Sequence, residues 1–413
     1  MKYATLVLSA IFLIYACNAP TEQLESEDNI SIGTKEIIYS KVLEEDREIW
    51  IYVPPDYYTM NQVNMVYPVI YLMDPTEQFV STVGILQQLS VSNANNFCPQ
   101  MIVVGVRHWD RTIDLTPRSD DIEYETKGGA DLLAQFMEDE LIPHIDKNYP
   151  TASHRVLIGH SLGGLLVFNT LIHKPHLFSI YLAIDPAMWW ADGTFAADVL
   201  DSLASIDFQQ KKLYVATANN YTSWITESTI EVDTSEIAMM NKYSLEFEES
   251  LGELEIKNLS VKQHYYENEI HGTVPGPATR DALRWFYEDY RYEKMMDYYN
   301  PDYTDNGAEA VSDINGHYDK LSVQLGYTVL PLESYINAYA FGLLQFGKPN
   351  IAHALLKMNK ENYPKSASVH SGLGYYKLGQ QDTVTAIKHF KTSVAIFPLD
   401  FVVETLNDLK VDE

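Results

Sequence analysis

Cysteine is nearly absent. Cys17 and Cys98 are the only two in 413 residues, too few for a disulfide framework or a thiolate metal cluster, so structural zinc held through cysteine is excluded. Basic residues are scarce as well: 29 Lys and Arg stand against 57 Asp and Glu, a formal net charge of −28. Such a chain repels a phosphate backbone and carries no basic footprint for DNA or RNA. The apolar run from Tyr3 to Tyr15 is too short to cross a bilayer as a permanent helix. What is present is an ordinary globular mixture, 46% apolar and 21% charged, in a chain longer than one usual domain. Two folded units are expected.

Lys2 followed by that apolar run has the size of the hydrophobic part of a secretory signal, which is removed on export. The run ends Leu13-Ile14-Tyr15-Ala16-Cys17, which resembles the bacterial lipoprotein signal, although Tyr15 stands where a small residue is usual. The resemblance implies a signal peptide over residues 1–16, lipidation at Cys17, and a place in the bacterial cell envelope, periplasmic or at the cell surface, with a lipid anchor in the membrane. Simple secretion and a retained anchor are the alternatives. Residues 17–33, polar and acidic with Pro20, read as a solvated tether. Cys98 is then left without an intramolecular partner and reads as a small buried hydrophobe.

From Thr34 to Tyr290 short β-rich runs alternate with amphipathic stretches, the pattern of a layered α/β sheet. The strands are expected at Glu48 to Val53, Val69 to Met73, Met101 to Val106, Arg155 to Ile158, Ile180 to Ile184, Lys212 to Ala216 and Val261 to Tyr266. Several are continuous apolar runs, as strands covered on both faces should be. Helices are expected at Ala130 to Asp146, Gly163 to Ile172 and Thr279 to Tyr290. Residues 291–330 break the alternation and read as a connector. Beyond them Pro331, Pro364 and Pro398 recur at a spacing of 33 and 34 residues, and Gly374, Ala386 and Phe390 stand at the offsets of a tetratricopeptide helix pair. Residues 331–413 are therefore expected to be an all-α extension, packed on the sheet domain or capped by the residues leading up to Tyr327.

The segment Gly159-His160-Ser161-Leu162-Gly163 lies between an expected strand and an expected helix. A strand that enters a strained turn and leaves as a helix lifts the Ser161 hydroxyl above the sheet, and the glycines permit the close backbone approach. The amide of Leu162, at the helix N-terminus, then faces a developing oxyanion. A serine needs a base. Of twelve histidines, His271 follows the last expected strand in a Gly/Pro loop, whereas His160 beside the nucleophile reads as a packing residue. The acid is sought after the strand Lys212 to Ala216, where Glu227, Glu231, Asp233 and Glu236 qualify by position.

With these blocks in place the sheet domain, residues 34–290, resembles the putative esterase family of α/β-hydrolases, which includes siderophore trilactone, feruloyl and acetyl-xylan esterases, S-formylglutathione hydrolase and mycolyltransferases. The matching segments include Arg47 to Tyr57, Tyr67 to Asp74, Asp110 to Pro117, Gly128-Gly129-Ala130, the turn at Ser161, Asp185 to Trp190 and His271 to Pro275. The resemblance implies an α/β-hydrolase fold and a Ser161, His271, acid triad. Asp233 is the favoured acid, because Val232-Asp233-Thr234-Ser235 looks like a block recurrent in the relatives. It places the second oxyanion donor after Asp74; since Pro75 has no N–H, that donor moves to Thr76. Arg111 is a candidate for holding a substrate carboxylate or catecholate, with pairing to Asp114 or Asp185 as the structural alternative. Trp189 and Trp190 are candidates for lining an acyl or aryl pocket.

The expectation is a serine esterase that needs neither metal nor organic cofactor, acting on a small-molecule or glycan ester outside the cytoplasm. Acyl transfer on the same acyl-enzyme is one rival. The other is a non-catalytic lipoprotein that holds a protein partner through its helical repeats.

Overall fold

The computed structural model describes residues 30–55, 57, 65–92, 95–118, 128–222, 224–226, 228–230 and 232–411. The expected signal peptide, Cys17 and most of the tether lie outside the described residues.

Eight strands form one sheet: β1 Thr34–Ser40, β2 Glu45–Tyr52, β3 Tyr67–Met73, β4 Ile102–Val106, β5 Thr151–His160, β6 Ile180–Ile184, β7 Lys211–Ala218 and β8 Leu259–Tyr266. Their spatial order is β1-β2-β4-β3-β5-β6-β7-β8, antiparallel through β1, β2 and β4 and parallel from β4 to β8. This is the expected α/β-hydrolase arrangement. Every residue of β3, β4 and β6 is buried, which is why these strands read as unbroken apolar runs. Strand β1 had no such signal. It is an edge strand whose Ile37 and Tyr39 face solvent.

Helices cover both faces. On one side lie α1 Pro75–Ser90 and α8 Pro275–Phe286; on the other lie α3 Ala130–Phe136 and α4 Ile142–Asn148, joined by a π-helical turn Met137–Leu141, together with α5 Leu162–His173, α6 Thr194–Ser205 and α7 Glu236–Glu253. A short helix, α2 Arg111–Leu115, follows β4.

The segment expected as a connector is a packed layer. A 3₁₀ helix Glu293–Tyr299 and helix α9 Gly307–Leu325 occupy it, and Tyr292, Met295, Tyr298, Ile314, Tyr318 and Leu321 are buried in the same apolar core as α1 and α8. Tyrosines hid this layer in the sequence, because their ring buries while the hydroxyl needs a partner. Here the Tyr292 and Tyr298 hydroxyls bond each other, and Tyr318 accepts from Asn96 Nδ2 at 2.8 Å.

Beyond it come α10 Glu333–Gln345, α11 Pro349–Asn362, α12 Ala367–Gly379, α13 Thr383–Ile396 and α14 Asp400–Val411. Helices α10 and α11, and α12 and α13, pair as two helix hairpins at the spacing read from the prolines, and α14 packs on α13. The absence of a side chain at Gly374 is what lets α12 and α13 close up: an added Cβ would strike the Phe390 ring.

Candidate active site

Strand β5 ends at His160 and α5 begins at Leu162, so Ser161 alone makes the reversal. Its φ of 58° and ψ of −117° are strained for a residue with a Cβ, and such strain persists only where the surroundings hold it. Three contacts do. The Ser161 amide donates to Ile184 O at 2.9 Å, and the Gly164 and Ala187 amides donate to Ser161 O at 2.9 and 3.2 Å. Gly159 is obligatory, since any Cβ there would overlap the Gly163 carbonyl.

Adjacent parallel strands bring the end of β3 against this turn. A Cβ added at Gly163 would sit 3.4 Å from Asp74 Oδ2 and from Met73 Cβ. Asp74 is left-handed (φ 55°) and caps α1, with Pro75 and Thr76 as the first two helical residues. The N-termini of α1 and α5 thus stand side by side, each with amides that no intrahelical carbonyl can satisfy.

Arg111 lies here, but not on either partner expected of it. Its Nε and Nη2 grip Asp74 Oδ1 and Oδ2, both at 3.0 Å, because α2 starts directly after the end of β4, which neighbours β3. Asp114 is engaged elsewhere, by Arg47 and His108. A carboxylate beside the two helix N-termini is therefore charge-compensated. The fork is an ion pair whose cation is still half-exposed.

His271 sits at the end of the loop that follows β8. Its Nδ1 is 2.5 Å from Asp185 Oδ2, and a carboxylate only accepts, so the Nδ1 proton is donated and the neutral ring presents Nε2 as a base. The carboxylate that His271 bonds is thus Asp185 and not the expected Asp233. Asp233 instead accepts from the Ser235 amide at 2.8 Å, just ahead of α7, and those bonds to Ser235 lower its pKa. Glu236 opens α7 on its exposed side, and Glu227 and Glu231 lie outside the described residues. The sequence reading looked one strand too far along. Asp185 directly follows β6, between β5 and β7, and its φ of 40° turns it out of the strand. Burial pushes its carboxyl up, but bonds from His271, the Ala218 amide and Asn220 prevail and hold it below the usual carboxylate range.

His160 does more than pack. Its Nε2 lies 2.9 Å from the His271 carbonyl, and the two rings are 4.4 Å apart. A carbonyl can only accept, so His160 carries the proton on Nε2 and donates it. Burial, then the neighbouring His271, pushes its pKa down to about 4.

The paired tryptophans divide. Trp190, a candidate for the pocket wall, is buried, and its Nε1 donates to Pro117 O at 3.2 Å. Turns from Met188 N to Pro186 O and from Trp190 N to Ala187 O curl it back into the core. Trp189 is partly buried against that core. Among the described residues the exposed tryptophans are Trp109, after β4, and Trp224, after β7. Both leave the carboxyl ends of parallel strands, the edge from which Ser161 and Asp185 also project.

The sequence profile of the family described as Putative esterase matches residues 40–227. The chain is similar to ferri-bacillibactin esterase BesA of Bacillus subtilis (strain 168), with 29% identity over 236 residues, 53% of this chain and 78% of that one. It is also similar to siderophore enterobactin esterase of Emericella nidulans, with 26% identity over 244 residues, 52% of this chain and 80% of that one. Among solved structures it resembles an IroE-like serine hydrolase from Shewanella oneidensis, with a TM-score of 0.64 and 26% identity, covering 80% of this chain and 99% of that one.

Proposed function

The chain is a serine hydrolase of the Putative esterase family, and on that footing we propose that Ser161, His271 and Asp185 form its catalytic triad. The observation that carries the reading is the His271–Asp185 bond, made at the same sheet edge as the strained Ser161. His271 Nε2 takes the Ser161 proton as Oγ attacks the ester carbonyl, and Asp185 stabilises the imidazolium that forms. The amides of Leu162 and Thr76 receive the oxyanion. The alcohol leaves with the proton from His271, and water activated by the same ring then releases the acid from the acyl-enzyme.

The favoured substrate class is a siderophore-type ester or trilactone. Its support is the likeness to the two siderophore esterases and the exposed Trp109 and Trp224 at the catalytic edge, which offer stacking surface to an aromatic acyl group. Lipidation at Cys17 and an envelope location belong to the same proposal, as does a tetratricopeptide-like nature for the two helix hairpins. Their support is the residue pattern around each.

A fluorophosphonate probe is expected to label the wild type and not Ser161→Ala, and the same substitution is expected to abolish turnover of a short aryl ester. Labelling that persists in Ser161→Ala would remove the nucleophile. A substrate panel then ranks the esters: faster hydrolysis of a trilactone than of feruloyl or acetyl glycan esters supports the siderophore class, and the reverse order rejects it.

A further inference from the structure

The turn around His271 is closed by bonds between Ile270 and both Thr273 and Val274, but none of these bonds engages the His271 ring. The His271 side chain is 49% exposed, and the residue precedes Gly272, around which there is open space, and lies between a strand and a helix. An imidazole that must meet a serine hydroxyl within a fraction of an ångström needs to be positioned from outside. The loop after β7, where the acid was sought, also carries the carboxamides Asn219 and Asn220, which reach this segment.

Asn219 and Asn220 lace the loop after β7 to the loop after β8. The Asn219 amide donates to Glu269 O at 2.8 Å, and its Nδ2 donates to Glu267 O at 2.8 Å. Asn220 is placed one residue further on, with its own carbonyl tied to α7 by Asn241 Nδ2 at 2.9 Å. Its side chain then faces two partners of opposite kind. Oδ1 accepts from the His271 backbone N–H at 3.1 Å, and Nδ2 donates to Asp185 Oδ2 at 3.0 Å, the same oxygen that receives the His271 ring. A carboxamide satisfies both at once from its two ends, whereas a carboxylate lacks the donor and an ammonium or guanidinium lacks the acceptor. The far side of His271 is held by the Nε2–H of His160 on its carbonyl.

We propose that Asn220 is a positioning residue of the triad, a single carboxamide that fixes the backbone of the base and the carboxylate of the acid relative to each other. The inference rests on the reading of His271 and Asp185 as base and acid. It assigns to the loop after β7 a role in geometry rather than in charge.

The test uses the full chain with a short aryl ester. Asn220→Ala is expected to lower kcat by about 10- to 100-fold, as a displacement on the order of 1 Å does, with KM changed by less than about threefold. Asn220→Asp keeps the shape and the acceptor but sets a second carboxylate against Asp185 and the imidazole. That charge favours the imidazolium, so the acid limb of the kcat/KM profile is expected to move up by about one pH unit. A purely structural asparagine gives no such movement. The proposal is overturned by a wild-type kcat in Asn220→Ala, by an acid limb that stays in place in Asn220→Asp, or by a loss of rate in Asn220→Ala that merely tracks the folded fraction measured by circular dichroism. Ser161→Ala, assayed alongside, separates the two levels. Turnover in that variant would sink the hydrolytic reading itself, whereas an inert Ser161→Ala beside a fully active Asn220→Ala removes only the positioning role.

Discussion

Asp185 and Asp233 differ in what surrounds them, and that difference is what favours Asp185 as the proposed acid. Asp185 is almost fully buried and receives the His271 ring, a backbone amide and a carboxamide; Asp233 caps the turn into α7. Asp185→Asn is therefore expected to lower kcat about a thousandfold or more by removing the carboxylate that orients the ring, while Asp233→Asn stays within about twofold, both read by steady-state hydrolysis of a short aryl ester. Arg111 gives a second contrast. If its work is to neutralise Asp74 beside the helix N-termini, Arg111→Gln leaves a bare carboxylate next to the developing oxyanion. The expected loss is then about tenfold in kcat on a neutral ester; a change confined to KM, and only for anionic esters, would mark it as a substrate clamp instead. Ser161 and His271 were legible in the sequence because each sits in a local pattern, glycines around a strand-to-helix reversal and a Gly/Pro loop after the last strand. Asp185 was not, because its role depends on contacts from two loops distant in sequence, and the block Asp185-Pro186 is silent about both.

Among elements, the parallel strands were readable and the third layer was not. Strands buried on both faces write themselves as apolar runs, whereas α9 alternates small and polar residues with tyrosines and reads as an interruption. Its place in the fold is specific. Tyr318 meets Asn96, which precedes β4; Tyr327 stacks near His154, which lies early in β5; and Gly326 approaches Ser153. All three contacts lie toward the amino ends of β4 and β5, and the carboxyl end of β5 leads into Ser161. Helix α9 and the loop that follows it therefore pack toward the end of the sheet opposite Ser161. Helix α9 buries Ala310, Ile314, Tyr318, Leu321 and Leu325, and burial of a large apolar side chain stabilises by roughly 1.5–3 kcal/mol. Against a net stability of about 5–15 kcal/mol, loss of this layer is not tolerated. A chain ended after Tyr290 is expected to lose its cooperative thermal transition by circular dichroism, even though every proposed catalytic residue is still present; a stable, active fragment would show the layer to be dispensable.

For the molecule as a whole, acid is the vulnerable direction. Burial holds His154 at a pKa of about 4, with the nearby Lys212 and Lys211 adding to the effect, and His160 is likewise held at about 4 by burial and His271. An unfolded histidine titrates near 6.5, so between those values the unfolded state binds more protons, and stability falls as pH drops through that window. Each ring accounts for on the order of 3 kcal/mol at most. Asp185 works in the same direction lower down: its depressed carboxyl stabilises the fold above the ordinary carboxylate range, and that contribution is lost as pH falls through its folded value. The melting temperature, followed at salt high enough to screen the net charge of −28, is expected to be flat above pH 7 and to fall from about pH 6 to pH 4. His154→Gln should flatten that slope, and an unchanged slope would place the acid sensitivity elsewhere.

The continuous core that joins α1, α8, α9 and the hairpin helices up to Tyr376 also sets when the protein can exist. Residues that seal the amino edge of the sheet follow the proposed triad in the chain, so during synthesis the triad is complete in sequence well before the edge beneath it is closed. The chain is thus committed to finishing late. A chain stopped before residue 291 is expected to be an aggregation-prone intermediate rather than a smaller folded enzyme.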